Sequence, residues 1–575
     1  MRVLLTSGTS PPAPVRIILQ GPAGTGVSGN ITCWPHPAAH GRGGSGCSSR
    51  GGPGLPPRGR FHLGCHARER RRNPLGRGYA LVSCRLTLVP QPAHPPTDPR
   101  DPLGLRADAP LLDGWLASTD AADRGALTLM CTPGHKQRHD LTGAVVAGDT
   151  PLYGGVDTIK HADTLLAEAE SRAARLWGAD WCRFSVAGST HGNQALALAV
   201  GSPGQEVIVT RCLHRSLLLG LVLAGLRPVW GLPERDTGTG LPGAVAVQTV
   251  RGALAAHPDA CAVFLGDPSY VGTTGDLAGH ADAAHEAGVP LIVDAAWAAY
   301  LGFHPDLPPH AIAAGADGMV TSAHKALPAA TQAALVFART QLLDRARLDR
   351  AFEATHTTSP AGAIIASIDA ARALLARDGK QLCARLLHLV ATARRRLTEV
   401  PGVAVLDGPG VDPAKLVVLL AGAGADGYAV EADLIAAGMP VELGDRDMII
   451  PIVTIADTED TVARFCDTLA ASIERRRRPA RRPEPSPAWS VVPQMAIPPR
   501  EAFFSPNETV PADAAAGRIS AELVAPYPPG IPVLAPGEVI TGDALAALRT
   551  ARAQGGRIAY AADPSLATFQ VITQA

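Results

Sequence analysis

The sequence predicts an α/β fold with a mostly parallel central sheet, followed by a smaller α+β domain and a small carboxyl-terminal domain. Three observations lead there. Short apolar runs without polar alternation, such as Val207-Ile208-Val209 and Leu291-Ile292-Val293, read as strands buried on both faces. Turn residues and a helix-length periodic stretch follow most of them, the alternation that builds crossover units. Two runs end in reactive side chains, one in Asp294 and the other in Ser322-Ala323-His324-Lys325. The carboxyl edge of such a sheet is where ligands bind.

At 575 residues the chain has room for two to four domains. Composition and turn signals divide it into an extension (residues 1–105), a ligand-binding major domain (106–345), a smaller α+β domain (346–474), a linker (475–500) and a carboxyl-terminal domain (501–575). In the first hundred residues Lys is absent, the charges are almost all Arg, and Gly and Pro recur without period. That composition predicts a disordered extension, or translated sequence upstream of the true start. Gly21 to Gly29 mimics a phosphate loop but lacks the Lys-Ser/Thr ending and a following helix, so it is rejected. The Arg68, Arg70, Arg71, Arg72 cluster comes with no nucleic-acid recognition motif.

Lys plus Arg and Asp plus Glu balance at 52 each, so no bulk attraction to nucleic acid or an anionic membrane is expected. Ten scattered cysteines without metal-ligand spacing read as thiols in a reducing compartment, and no metal site is expected. No stretch has the apolar length of a transmembrane helix, and no secretion signal is recognisable at the amino terminus. The expected setting is the cytoplasm.

The major domain reads in order. A helix is expected from Pro110 through Leu116; the short run Leu127 to Met130 and the turn Thr132-Pro133-Gly134-His135-Lys136 follow. The periodic segment from His161 ends at Gly178. A strand at Trp181 to Val186 then runs into Ala187-Gly188-Ser189-Thr190-His191-Gly192-Asn193 and a helix to Val200. A helix amino terminus there can cradle a phosphate, with Ser189 and Thr190 adding donors; a plain Ser or Thr helix cap explains the same residues equally well. Strands follow at 206–210, 227–230 and 261–265, with a helix to Ala224 and another over 277–287. His214 stands just past a strand end, where an imidazole can stack on a ring or merely cap a helix. A short helix is expected at His310 to Ala314, and a strand at Asp317 to Thr321 leads to Lys325.

Phosphate-type turn, strand-end His, strand-end Asp and strand-end His-Lys thus fall in order at one sheet edge. An Asp and a Lys placed there suit pyridoxal 5'-phosphate: the lysine holds the aldehyde as a Schiff base and the aspartate keeps the pyridine nitrogen protonated.

These residues resemble the ornithine/lysine/arginine decarboxylase family of fold-type-I pyridoxal-phosphate enzymes, most nearly its shorter bacterial members. The resemblance runs from about Pro110 to the carboxyl end through TPGHKQ, AGSTHGNQAL, CLHRS, FHPDLPP, SAHKALPAATQ, AFFSPNETV, GRISAELVAPYPPGIPVLAPGE and AADPSL. It implies decarboxylation of lysine, arginine or ornithine by a homodimer or higher homo-oligomer with shared active sites. Lys325 would carry the cofactor, Asp294 would pair with the pyridine nitrogen, and His214 would stack on the ring. Gly188, Ser189, Thr190, Ser322 and His324 would form the phosphate site. Thr358 would reach a neighbouring subunit's phosphate, and Glu522 would meet the substrate's distal cation. The chain departs from many shorter members at Ala295-Ala296-Trp297, where Glu-Ala-His is usual, and at Asn507, where Lys is common. Two alternatives share the sheet-edge residues: an aminotransferase or aldolase-like enzyme, and a decarboxylase-derived regulatory protein without activity.

Overall fold

The computed structural model describes residues 3–4, 16–20, 26–30, 61–72, 78–88, 98–124, 132–136, 141, 146, 148–149, 165–236, 238–483, 491–527 and 530–573. The chain divides into two units, Met1–Leu103 and Gly104–Ala575. In the first, Arg16–Gln20 pairs antiparallel with Gly26–Asn30, and Phe61–Arg72 pairs antiparallel with Gly78–Leu88. Composition alone predicted no regular elements there. The sequence of Gly78–Leu88, rich in Tyr, Leu, Val and Thr, carries a local strand signal that the Gly/Pro content of the whole segment averages away. The Gly/Pro-rich run over residues 40–60 and the short run over 127–130 lie outside the described residues.

The second unit is organised by a seven-stranded sheet: β1 (Trp181–Ser185), β2 (Glu206–Thr210), β3 (Arg227–Gly231), β4 (Val263–Gly266), β5 (Leu291–Asp294), β6 (Gly318–Ser322) and β7 (Ala334–Ala338). Their spatial order is β1-β7-β6-β5-β4-β2-β3. The ladders from β3 through β6 are parallel, while β7 runs antiparallel to both β6 and β1. β7 was not anticipated from the sequence. The chain returns to it from Ser322 through residues 323–333, which turn it back beside β6.

The helix Gly188–Val200 crosses this sheet closely. A Cβ on Gly192 would lie 2.4 Å from Val320 Cγ2 and 2.8 Å from Val336 Cγ2, so only glycine fits where it passes β6 and β7. The expected helix at His310 to Ala314 is instead a set of turns. Pro308 and Pro309 before it and Gly315 after it, at φ +108°, leave no length for one.

The smaller domain pairs a four-stranded antiparallel sheet with helices Gly427–Ala436 and Glu459–Arg476 and the 37-residue helix Gly362–Thr398. The basic run read as an exposed linker begins inside the helix that ends at Arg476. Arg475 and Arg476 pair with Asp433, and Arg481 donates to the carbonyls of Ala425 and Arg446. Those arginines are therefore fastened to the smaller domain. The carboxyl-terminal region joins Asn507–Pro511 to Thr568–Ile572, and Ala525–Tyr527 to Arg557–Ala559, around helix Gly542–Ala553. It is locked to β2 by a buried ion pair: Arg211 Nη1 donates to Glu538 Oε1 at 2.5 Å and Nη2 to Oε2 at 3.0 Å. Trp230 Nε1 and Ala535 N also donate to that carboxylate.

Candidate active site

The carboxyl ends of β1, β2, β4, β5 and β6 converge on a cavity of about 420 Å³. Gly188, Ser189, Thr190, His214, Asp294, Ser322, His324 and Lys325 line it together, with Tyr270, Trp297 and Ile531. Five separate sequence stretches thus meet at one place because parallel strands deliver their following turns to the same edge.

The helix Gly188–Val200 starts at Gly188, three residues past the end of β1, so the expected turn is its first turn. Its N-cap, Ala187, makes no side-chain cap bond, and Ser189 does not spend its hydroxyl on capping. Instead Ser189 Oγ lies 2.7 Å from Ser322 Oγ. A helix amino terminus carrying a partial positive charge, with two hydroxyls beside it, is an anion cradle.

Asp294 accepts from Asn193 Nδ2 at 2.7 Å and from the Ala296 amide at 3.2 Å. Asn193 Nδ2 also donates to Ser216 Oγ at 2.9 Å, and Ser216 Oγ lies 2.7 Å from His214 Nδ1. A continuous chain therefore runs Asp294–Asn193–Ser216–His214. The capping reading of His214 holds as well, since its Nδ1 accepts from the Ser216 amide. Desolvation pushes the His214 pKa down; nearby Lys325 and Arg215 push the same way and Asp294 opposes them. The ring is thus biased toward the neutral imidazole.

Lys325 is partly buried, and desolvation lowers its pKa against the opposing fields of Asp294 and Glu442. Its Nζ sits 3.9 Å from the centroid of the Trp297 ring. His324 donates from Nδ1 to the Ala333 carbonyl at 2.9 Å, which fixes its ring beside the cavity. Cys212 also lines the cavity, but burial pushes its thiol up to about 12, so it is no nucleophile near neutral pH.

Two expected residues lie elsewhere. Thr358 is exposed and lines a separate cavity of about 780 Å³ with Glu170, Arg183 and His356. Glu522 does not line the cavity of Lys325: its carboxylate accepts from the amides of Ala562 and Gln570, both at 2.7 Å. The family resemblance gave it the substrate's distal cation; within this chain its carboxylate is held by backbone donors of its own domain.

Other residues were missed. Asn193 had a signal, lying one helical turn after Ser189 on the same face. Ser216, Tyr270 and Glu442 had none. Tyr270 Oη donates to Glu442 Oε1 at 3.4 Å, and the Tyr270 and Trp297 rings meet edge to face at 5.4 Å. Among the described residues no group of three or more His, Cys, Asp or Glu side chains suits a metal ion. Also among them, no helix is long and apolar enough to cross a membrane.

This strand order, with a lysine after β6 and an aspartate closing β5, is the fold-type-I architecture of pyridoxal-phosphate enzymes. Comparison narrows the class. Residues 152–433 match the Orn/Lys/Arg decarboxylase major domain and residues 486–555 its C-terminal domain. An arginine decarboxylase of Halalkalibacterium halodurans is 32% identical over 463 residues, spanning 77% of this chain and 94% of the relative. One from Bacillus subtilis is 32% identical over 396 residues, 67% of this chain and 81% of the relative. The Francisella novicida lysine decarboxylase structure superposes with a TM-score of 0.68 at 20% identity, covering 81% of each chain. The chain belongs to the ornithine/lysine/arginine decarboxylase family and is an amino acid decarboxylase.

Proposed function

We propose that this enzyme decarboxylates arginine, lysine or ornithine, giving the corresponding diamine or polyamine precursor, with pyridoxal 5'-phosphate held in the cavity at the sheet edge. The observation that carries the reading is the convergence of Lys325, Asp294, His214 and the uncapped helix amino terminus at Gly188 on one cavity.

The residues present fit the cofactor. Ser189, Thr190, Ser322 and His324 would hold its phosphate, Asp294 its pyridine nitrogen, His214 one ring face and Lys325 its aldehyde carbon. When bound, the cofactor supplies an electron sink for the bond to the α-carboxylate. Asn193 holds Asp294 through one oxygen while the Ala296 amide holds the other, which orients the acid toward the cavity. Lys325, with its lowered pKa, presents more neutral amine near neutral pH than an exposed lysine does, as a nucleophile requires. The same amine, or His324, is placed to deliver a proton to the α-carbon once the carboxylate has left.

A basic substrate also needs an acceptor for its distal cation. Asp294 is the one acid among the described cavity-lining side chains, and it is engaged. Glu442, at the hydroxyl end of Tyr270, is the second carboxylate whose field reaches Lys325. We assign it the distal cation, with the Tyr270 and Trp297 rings as the wall between. A homodimer in the cytoplasm completes the proposal; exposed Thr358 beside its own large cavity supports contact with a second copy.

Release of carbon dioxide from arginine, lysine, ornithine and control amino acids by cofactor-loaded protein tests the reading. At least one basic amino acid is expected to react, and none with Lys325→Ala. Glu442→Gln is expected to raise KM for that substrate about tenfold or more, as loss of a charge-assisted contact does. No release from any basic amino acid would overturn the substrate class.

A further inference from the structure

Lys415 has no part in the reading above, yet it is 6% exposed and its Nζ has no hydrogen-bond partner among the described residues. A buried ammonium in that state is costly unless something uses it. The carboxylate whose field acts most on it is already engaged: Asp412 accepts from the Tyr300 hydroxyl and from the Ala414 amide. Lys415 Nζ instead lies 4.2 Å from the centroid of Trp297, the same indole that Lys325 Nζ approaches at 3.9 Å. The two amines therefore stand within about 8 Å of each other, both against one ring.

The slot for this lysine is built from both domains. A Cβ on Gly272, at φ +83°, would lie 2.6 Å from Lys415 Cγ, so that glycine leaves the space for the lysine stem. The Asp412 amide donates to the Gly272 carbonyl at 2.8 Å, and Thr273 bridges to Val411. Arg394 holds the Lys415 carbonyl at 2.8 Å.

We propose that Lys415 is a positioning residue that seats the Trp297 indole against Lys325 and sets how readily Lys325 takes up a proton. The inference rests on the reading of Lys325 as the reactive lysine. It also gives Trp297, the departure from the common Glu-Ala-His pattern, a partner from the smaller domain. The charged groups whose fields act on Lys325 are Asp294 and Glu442, and Lys325 in turn acts on His214 and Lys415; those acting on Lys415 are Asp412, Glu442 and Lys325, with the Tyr270 ring centroid 5.5 Å from its Nζ and Arg394 on its backbone side. Burial brings Lys415 itself down to about 8, so it is charged at neutral pH and loses its charge just above. While charged, it disfavours a second ammonium on Lys325.

The test reads amine reactivity rather than turnover. Full-length protein without cofactor is labelled with trace acetic anhydride, and acetylation at Lys325 is measured by peptide mass spectrometry across pH. In Lys415→Met, labelling of Lys325 at neutral pH is expected to fall about three- to tenfold, as loss of one neighbouring charge predicts. The gap should close above about pH 8, where Lys415 is itself neutral. Lys415→Arg, which keeps the charge, should restore the neutral-pH rate. In the unmutated chain Lys325 should titrate in two steps, as coupled groups do. Equal labelling in Lys415→Met at every pH overturns the proposal. If the variants do not fold, a single-step titration of the unmutated chain overturns it. Carbon dioxide release stands apart from this readout, so failure of the decarboxylase reading is separately visible.

Discussion

Arg211 and Lys415 are both buried cations at a join between the central sheet and another part of the chain, and they are treated in opposite ways. Arg211 has a bidentate carboxylate in Glu538 and the Trp230 ring 4.7 Å from its guanidinium carbon. Lys415 has two aromatic rings, a glycine slot and, among the described residues, no hydrogen bond at Nζ. The first arrangement compensates the charge and keeps the carboxyl-terminal region on the sheet. The second leaves a charge unquenched beside the reactive lysine. Burial without pairing is where a fold gives up stability for chemistry.

The largest effect expected from this comparison is at the paired cation. Glu538→Ala leaves Arg211 buried without its partner and should destabilise the protein by about 3–5 kcal/mol, read from urea unfolding midpoints. A loss of less than about 1 kcal/mol would mean that the pair is only an ornament of a join held by apolar contact.

Asn193→Ala removes the donor that fixes Asp294. It should lower carbon dioxide release by about tenfold or more while costing about 1–3 kcal/mol of stability. A variant with full activity would detach Asp294 from its proposed function.

Lys415→Met should be neutral or stabilising at pH 7, because it removes an uncompensated charge. The pH dependence has a definite sign. The folded-state value of about 8 lies below the ordinary 10.5, so the folded protein holds fewer protons between those values than the unfolded chain. The penalty is full below about pH 8 and is relieved as pH rises toward 10.5. Unmutated protein should therefore gain stability over that window relative to Lys415→Met; parallel curves would show that Lys415 is not held charged against burial.

Deleting residues 1–100 should have the smallest effect. Met1–Leu103 is a compact unit of its own, so the unfolding midpoint of the remaining protein and its activity should hardly move. Loss of soluble protein on truncation would give that unit a structural role.

What could be read without coordinates follows from spacing. Non-alternating apolar runs marked five of the parallel strands, and Asp294, His214, Ser189 and Lys325 each stand just past such a run. Strand ends and the turns after them are local features, so local pattern located them. Glu522 shows the limit: the family resemblance alone gave it a substrate contact, and within this chain backbone donors from Ala562 and Gln570, far along the chain, hold its carboxylate. β7 was missed because its place between β6 and β1, the latter about 150 residues earlier, is a tertiary pairing that the sequence after Lys325 does not record.

By itself, then, the sequence determined the α/β class, the order of the reactive residues along one sheet edge and the family they belong to. Only tertiary structure decided which groups complete that edge. Asn193 is made a partner of Asp294, Lys415 is brought under Trp297, and Glu538 is matched to Arg211. The physical reason is the same in each case: these are contacts between side chains 100 or more positions apart. No local periodicity records them, because burial and pairing exist only once the chain has closed on itself.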